Sequence, residues 1–114
     1  MAFGTRAQFE AVRELAFGSI SGTYAALGTP ITDHARVVRF VNSTDKEMYV
    51  SLDGVTNHIR LAISSFFLVD FSTNRIQDDG LFVSIGTQFW VKQVSSGPTV
   101  GSVWCEVVSG TGGV

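Results

Sequence analysis

The chain has 114 residues, 45% of them apolar and only 16% charged, with 8 Lys and Arg against 10 Asp and Glu for a formal charge of -2. That length accommodates a single domain with one modest core, and the charge balance excludes the broad basic surface of a non-specific nucleic-acid binder. No stretch reaches the ~20 consecutive apolar residues of a membrane span, and a single cysteine, Cys105, excludes an internal disulfide.

The N-terminus lacks the charged, apolar, then small pattern of a signal peptide, so a reducing compartment is expected. Charge normally covers much of a small domain's surface, and about 25% is usual. The shortage here points to a surface partly covered by other chains, since exposed apolar area marks interfaces.

In chain order, "TRAQFEAVRELAF" (5–17) predicts the one helix: Thr5 and Gln8 in a capping box, Phe9, Val12 and Ala16 on one face with Leu15 beside it, and Gly18 as its left-handed end. About three turns long, it needs something to pack on. Residues 19–34 are broken by Gly22, Gly28 and Pro30 and read as an extended arm carrying Tyr24, Leu27 and Ile31. The arm lies either on its own sheet or on a neighbour.

From residue 35 on, the pattern is β. Residues 36–42 are rich in Val and Phe, runs at 48–52, 59–63, 81–85, 89–93 and 103–107 set aliphatic residues at every second position, and "SFFLVDF" (65–71) is apolar on both faces, as a central strand or an interface strand would be. Turn chemistry separates them, with "NSTDKE" (42–47) read as a hairpin turn. The result is a mainly β chain, an antiparallel sandwich or barrel of about seven strands. Residues 1–34 form the helix and arm, 35–109 the sandwich, and the Gly-rich 110–114 a flexible tail. The sandwich is expected to fold without residues 1–34.

Catalytic constellations are not found. His34 and His58 are scattered, where a zinc site needs three or four convergent ligands. Asp53-Gly54 and Asp78-Asp79-Gly80 lack the ligand spacing of a calcium loop. Cys105 sits in phase with Val103 and Val107, the position of a buried, inert thiol. No nucleophile elbow or phosphate loop is present. No enzyme activity, cofactor or metal is expected. Trp90 and Trp104 oppose the aliphatic sets of their strands and are read as interface residues, or, with Tyr49, as the platform of a carbohydrate-binding module.

Residues 17–61, "SSFFLVDFSTNR", "GTQFWVKQ" and "GSVWCEVV" resemble a family of small virion proteins of tailed bacteriophages. The likeness spans 17–108 and rests on the arm, the "NxTD" turn, the loop Ser51–Val55 and the strand "FWVKQ". It implies a non-enzymatic β-sandwich subunit, made in the host cytoplasm and carried in the virion. Its stations would be a ring of the neck or head–tail joint, the tail, or capsid decoration. Partners would be copies of itself and portal, adaptor, tail or major capsid proteins, without specific nucleic acid or membrane. Phe9, Val12, Leu15, Tyr24, Leu27, Ile31, Trp90 and Trp104 are the expected interface residues.

Overall fold

Val38 and Phe40 alternate with Arg39 and Val41, and the same period-two pattern in Val103, Cys105 and Val107 makes these two segments natural neighbours. A computed structural model of the chain describes residues 6–70 and 83–111 and pairs the two segments in the longest ladder. Nine strands and one 3-10 turn, Phe17–Ser19, are found among the described residues. The strands are β1 (Arg6–Phe9), β2 (Arg13–Ala16), β3 (Ala25–Ala26), β4 (Ala35–Asn42), β5 (Met48–Ser51), β6 (Ile59–Leu61), β7 (Phe66–Asp70), β8 (Trp90–Gln93) and β9 (Ser102–Thr111).

They form two antiparallel sheets. In the five-stranded sheet, β9 is flanked by β4 on one side and by β1 and β2 on the other, and β7 borders β4. The four-stranded sheet runs β3-β8-β5-β6. Val38, Phe40, Val103, Cys105 and Val107 from the first sheet meet Met48, Val50, Leu61 and Val91 from the second in one buried core. Phe40 closes it edge-on against Phe89, with ring centroids 5.1 Å apart.

The expected helix over 5–17 is not formed. Residues 6–16 are instead two strands along β9. Phe9 faces Val108 and Arg13 faces Cys105, so four steps on one strand span three on the other. One extra residue sits between them, which is a β-bulge. Three turns of helix gain little alone, whereas β9 supplies main-chain partners along this whole length. Gly18 lies in the 3-10 turn and is not left-handed.

The bulge is held by a buried ion pair. Arg13 and Glu10 are 2.8 Å apart with side chains 6% and 8% exposed. Arg13 donates from Nε to the Thr29 carbonyl (2.7 Å) and from Nη2 to the Pro30 carbonyl (3.1 Å). The other Glu10 oxygen accepts from the Thr32 N–H. Arg13's stem passes over Gly28, where a Cβ would lie 2.6 Å from Cγ. The arm therefore lies on its own domain, with Leu27 and Ile31 in the core. Residues 6–34 are part of the sandwich and not an appendage to it. Likewise β9 runs on to Thr111, opposite Arg6, into what the sequence marks as tail.

The turn at 42–47 also differs from expectation. β4 and β5 belong to opposite sheets, so "NSTDKE" is an arch across the sandwich and not a hairpin. Its pivot is the fully buried Asn42. The Asn42 Nδ2 group donates to the carbonyls of Lys46, Leu61 and Ala62, and Oδ1 accepts from the Thr44 N–H and hydroxyl. Gly101 approaches this arch: a Cβ there would stand 2.1 Å from the Ser43 carbonyl oxygen, at a φ of +85°. The expected strand 81–85 and the turns at 72–74 and 78–80 fall wholly or partly outside the described residues; Val83 makes a single bridge to Ala35.

Two stability measurements check these constraints. Gly86→Ala, left-handed (φ +87°) but in open space, should cost about 1–2 kcal/mol in urea unfolding. Gly101→Ala should cost far more or prevent folding, because it meets backbone that cannot move aside. Burial alone would raise the Glu10 pKa, but Arg13 and the Thr32 N–H outweigh it and hold the carboxyl below its ordinary range. A group lowered in the fold stabilises it above its unfolded pKa, about 4.3 for Glu, and loses that contribution as pH falls through the folded value. Glu10→Gln should therefore flatten part of the acid limb of the stability curve. Asp45, Glu47 and Asp53, also held low by hydrogen bonds, should keep the remainder.

Candidate functional site: the outer face of the five-stranded sheet

The ladder registers dictate which side chains share the face turned away from the core. Phe9, Val108 and Val37 form one row across β1, β9 and β4, ending at Asp70 on β7. Glu106, Arg39 and Leu68 form the next. Trp104, Val41 and Phe66 form the third, with Glu14 of β2 at its end. The face is thus two largely apolar rows with one ion pair between them, Arg39 donating from Nε to Glu106.

Several of these side chains stand far out of the surface: Phe9 is 78% exposed, Phe66 62% and Leu68 51%. Val12, in the bulge, is 53% exposed and borders the same surface. Between Phe9, Val12, Val37, Leu68 and Val108 lies a shallow groove of about 340 Å³. The Arg39 guanidinium carbon stands 5.9 Å from the Phe66 ring centre, so even the cation lies over an aromatic. An apolar face of this kind, rimmed by Glu10, Glu14 and Asp70, suits contact with another protein surface.

The outer face of the four-stranded sheet is finished differently. The Lys92 ammonium lies 4.8 Å from the Tyr24 ring centre and 5.8 Å from that of Tyr49. Arg60 is paired with Glu47 at 2.8 Å. Trp90 lies over Gly54, at which a Cβ would touch the indole at 3.1 Å. That glycine belongs to the 51–58 loop, which is built around Asp53. The Asp53 carboxylate accepts from the N–H groups of Thr56 and Val55 and from the Ser51 hydroxyl, which hold its pKa far down. The residues are satisfied by one another, which is the finish of a solvated face.

The expected interface residues therefore separate. Phe9, Val12 and Trp104 belong to the apolar face. Leu15 turns inward and packs against the core, which also holds Leu27 and Ile31. Tyr24 and Trp90 lie on the opposite face of the molecule. A sugar platform of Trp90, Tyr49 and Trp104 is not assembled, because Trp104 is on the other sheet. Phe66, Leu68, Val37, Val41 and Val108 complete the face without having been singled out. The signal for the first two was the doubly apolar run 65–71.

His34 and His58 each spend Nδ1 on a backbone N–H, that of Ile85 (3.2 Å) and that of Leu52 (3.0 Å) respectively. Cys105 is buried, and burial pushes its thiol pKa up to about 12. No three His, Cys, Asp or Glu side chains converge as metal ligands among the described residues. No protein-family model, curated protein or solved structure matches the chain.

Proposed function

We propose that this chain is a non-enzymatic structural subunit of a tailed-phage virion, joined to its neighbours through the outer face of the five-stranded sheet. The station the resemblance implies first is a ring of the neck or head–tail joint, or the tail; capsid decoration is its alternative. The observation that carries the assembly part of the reading is the asymmetry of the two outer faces. One has its charged and aromatic groups paired among themselves. The other presents Phe9, Val12, Phe66, Leu68 and Trp104 around a single ion pair.

Burying apolar surface of this kind gains roughly 25 cal/mol per Å² removed from water, and side chains already exposed in the subunit contribute that gain only on association. The low charged fraction of the chain has the same explanation. The virion itself enters through the motifs at 42–45, 51–55 and 89–93, which in this molecule are an inter-sheet arch, a loop closed on Asp53 and strand β8. Each is a framework element, as a structural subunit requires.

The test is complementation. Purified particles of the phage encoding the chain should contain it in multiple copies by mass spectrometry. A Phe9→Asp, Val12→Asp variant should fold with an unchanged melting temperature, because both side chains are in solvent, and should be missing from particles. Particles that lack the wild-type chain would overturn the virion reading. Full incorporation of the double variant would overturn the choice of face.

A further inference from the structure

Four strand edges border the two sheets, and three are protected in the ways soluble proteins protect them. β3 is two residues long, β6 is three and carries Arg60, and the β1–β2 edge is broken by the Glu10–Arg13 bulge. β7 shows no such device among the described residues. It is a straight five-residue run, Phe66-Phe67-Leu68-Val69-Asp70, with no lysine, proline or bulge, and no strand pairs with its far side among the described residues. Phe66, Phe67 and Leu68 are 62%, 42% and 51% exposed, so both faces of the strand are apolar and open. That is the composition of an interior strand.

The hydrogen-bond phase of this edge follows from its neighbour. The Asn42 N–H donates to the Ser65 carbonyl at 2.8 Å, and the Ser43 N–H donates the other way, to Ser102 at 2.9 Å. In an antiparallel ladder the bonded side alternates with every residue. Residues 65, 67 and 69 therefore bond to β4, and Phe66 and Leu68 turn their N–H and C=O groups to the side away from β4.

We infer that β7 pairs antiparallel with β7 of a second copy about a two-fold axis at Leu68, making the five-stranded sheets of two subunits continuous. This register sets Leu68 opposite Leu68, exchanging two hydrogen bonds, and Phe66 opposite Asp70. It also sets Phe67 opposite Val69 on the inner side, an aromatic and β-branched pair of the kind that stabilises sheets. Residues facing each other sum to an even number, so the apolar outer faces of both copies lie on the same side. Shifting by two residues keeps the phase but pairs less of the strand. A parallel arrangement would set Asp70 against Asp70, whereas the antiparallel one keeps them at opposite ends. The strand is complementary to itself in hydrogen bonding and side-chain pairing, which is the property an isologous contact needs.

The inference depends on the reading that the apolar sheet meets protein, but not on any station in a virion. Leu68→Pro tests it, because this residue's N–H does not bond to β4 and proline is tolerated on such an edge. Leu68→Lys keeps the donors but sets two like charges together at the axis. The wild-type mass, by light scattering from micromolar to millimolar concentration, should reach a dimer or a larger even assembly. Both variants should halve it while retaining the wild-type melting temperature; if the proline variant fails to fold, the lysine variant decides. In the assembled protein the Phe66 and Leu68 amides should exchange slowly with solvent and become fast on dilution, with Phe67 and Val69 protected throughout. A wild-type chain monomeric over the whole range, both folded variants keeping the wild-type mass, or Phe66 and Leu68 protection independent of concentration would overturn the pairing. Absence from particles, by contrast, would remove the virion reading and leave the dimer standing.

Discussion

β9 is hydrogen-bonded along both edges, to β4 on one side and to β1 and β2 on the other, and the rest of the molecule is arranged around that strand. Its inward residues Val103, Cys105 and Val107 are three of the most deeply buried side chains. Its outward residues Trp104, Glu106 and Val108 form the middle of the apolar face. The first and last strands among the described residues thus hold each other, and residues 6–16 and 102–111 together close the fold. Contacts of such long sequence separation make a sheet slow to nucleate but cooperative once formed.

The same constraint explains why one face is apolar. Strands in the five-stranded sheet must alternate, so each residue directed to the core fixes its neighbours outward. In β5 and β8 the outward positions include Tyr49 and Lys92, in contact with each other and with Tyr24, and Trp90, which lies over Gly54. In β4, β7 and β9 most are apolar, Val37, Val41, Phe66, Leu68, Trp104 and Val108, with the Arg39–Glu106 pair between them and Asp70 at the edge. The core of a single chain does not account for these side chains being apolar; the proposed association would.

The β part of the fold was legible because period two is a strong signal where one face is buried, which placed β5, β6, β8 and β9, while β4 and β7 were read from Val- and Phe-rich runs. The N-terminal strands were not legible, and the bulge is the reason. Before it odd-numbered Phe9 points outward; after it odd-numbered Arg13 and Leu15 point inward. An alternation interrupted by one residue produces spacings of three and four, which is the signature of a helix. Arg13 deepened the error, since a charged residue directed inward reads as a solvent face until the carbonyls of Thr29 and Pro30 are known. The arch at 42–47 was misread for a related reason: a hairpin turn and an inter-sheet turn use the same residues, and only the buried Asn42 side chain, bonded to Leu61 and Ala62 far along the chain, tells them apart. Of the candidate site, Trp104 was readable as an outward residue of its strand, whereas Phe9 and Val12 were expected at an interface on the face of a helix that is not formed. Leu27 and Ile31 were apolar for the core instead, a distinction that composition does not carry.

The measurement that tests the assignment of the face most directly is hydroxyl-radical footprinting of the chain, free in dilute solution and in the assembled particle. Phe9, Phe66 and Trp104 should be labelled in the free subunit and protected in the assembly, while Tyr49 and Trp90 on the opposite face keep their labelling. Protection of Tyr49 and Trp90 with Phe9 and Phe66 still open would contradict the account and place the contact on the other sheet.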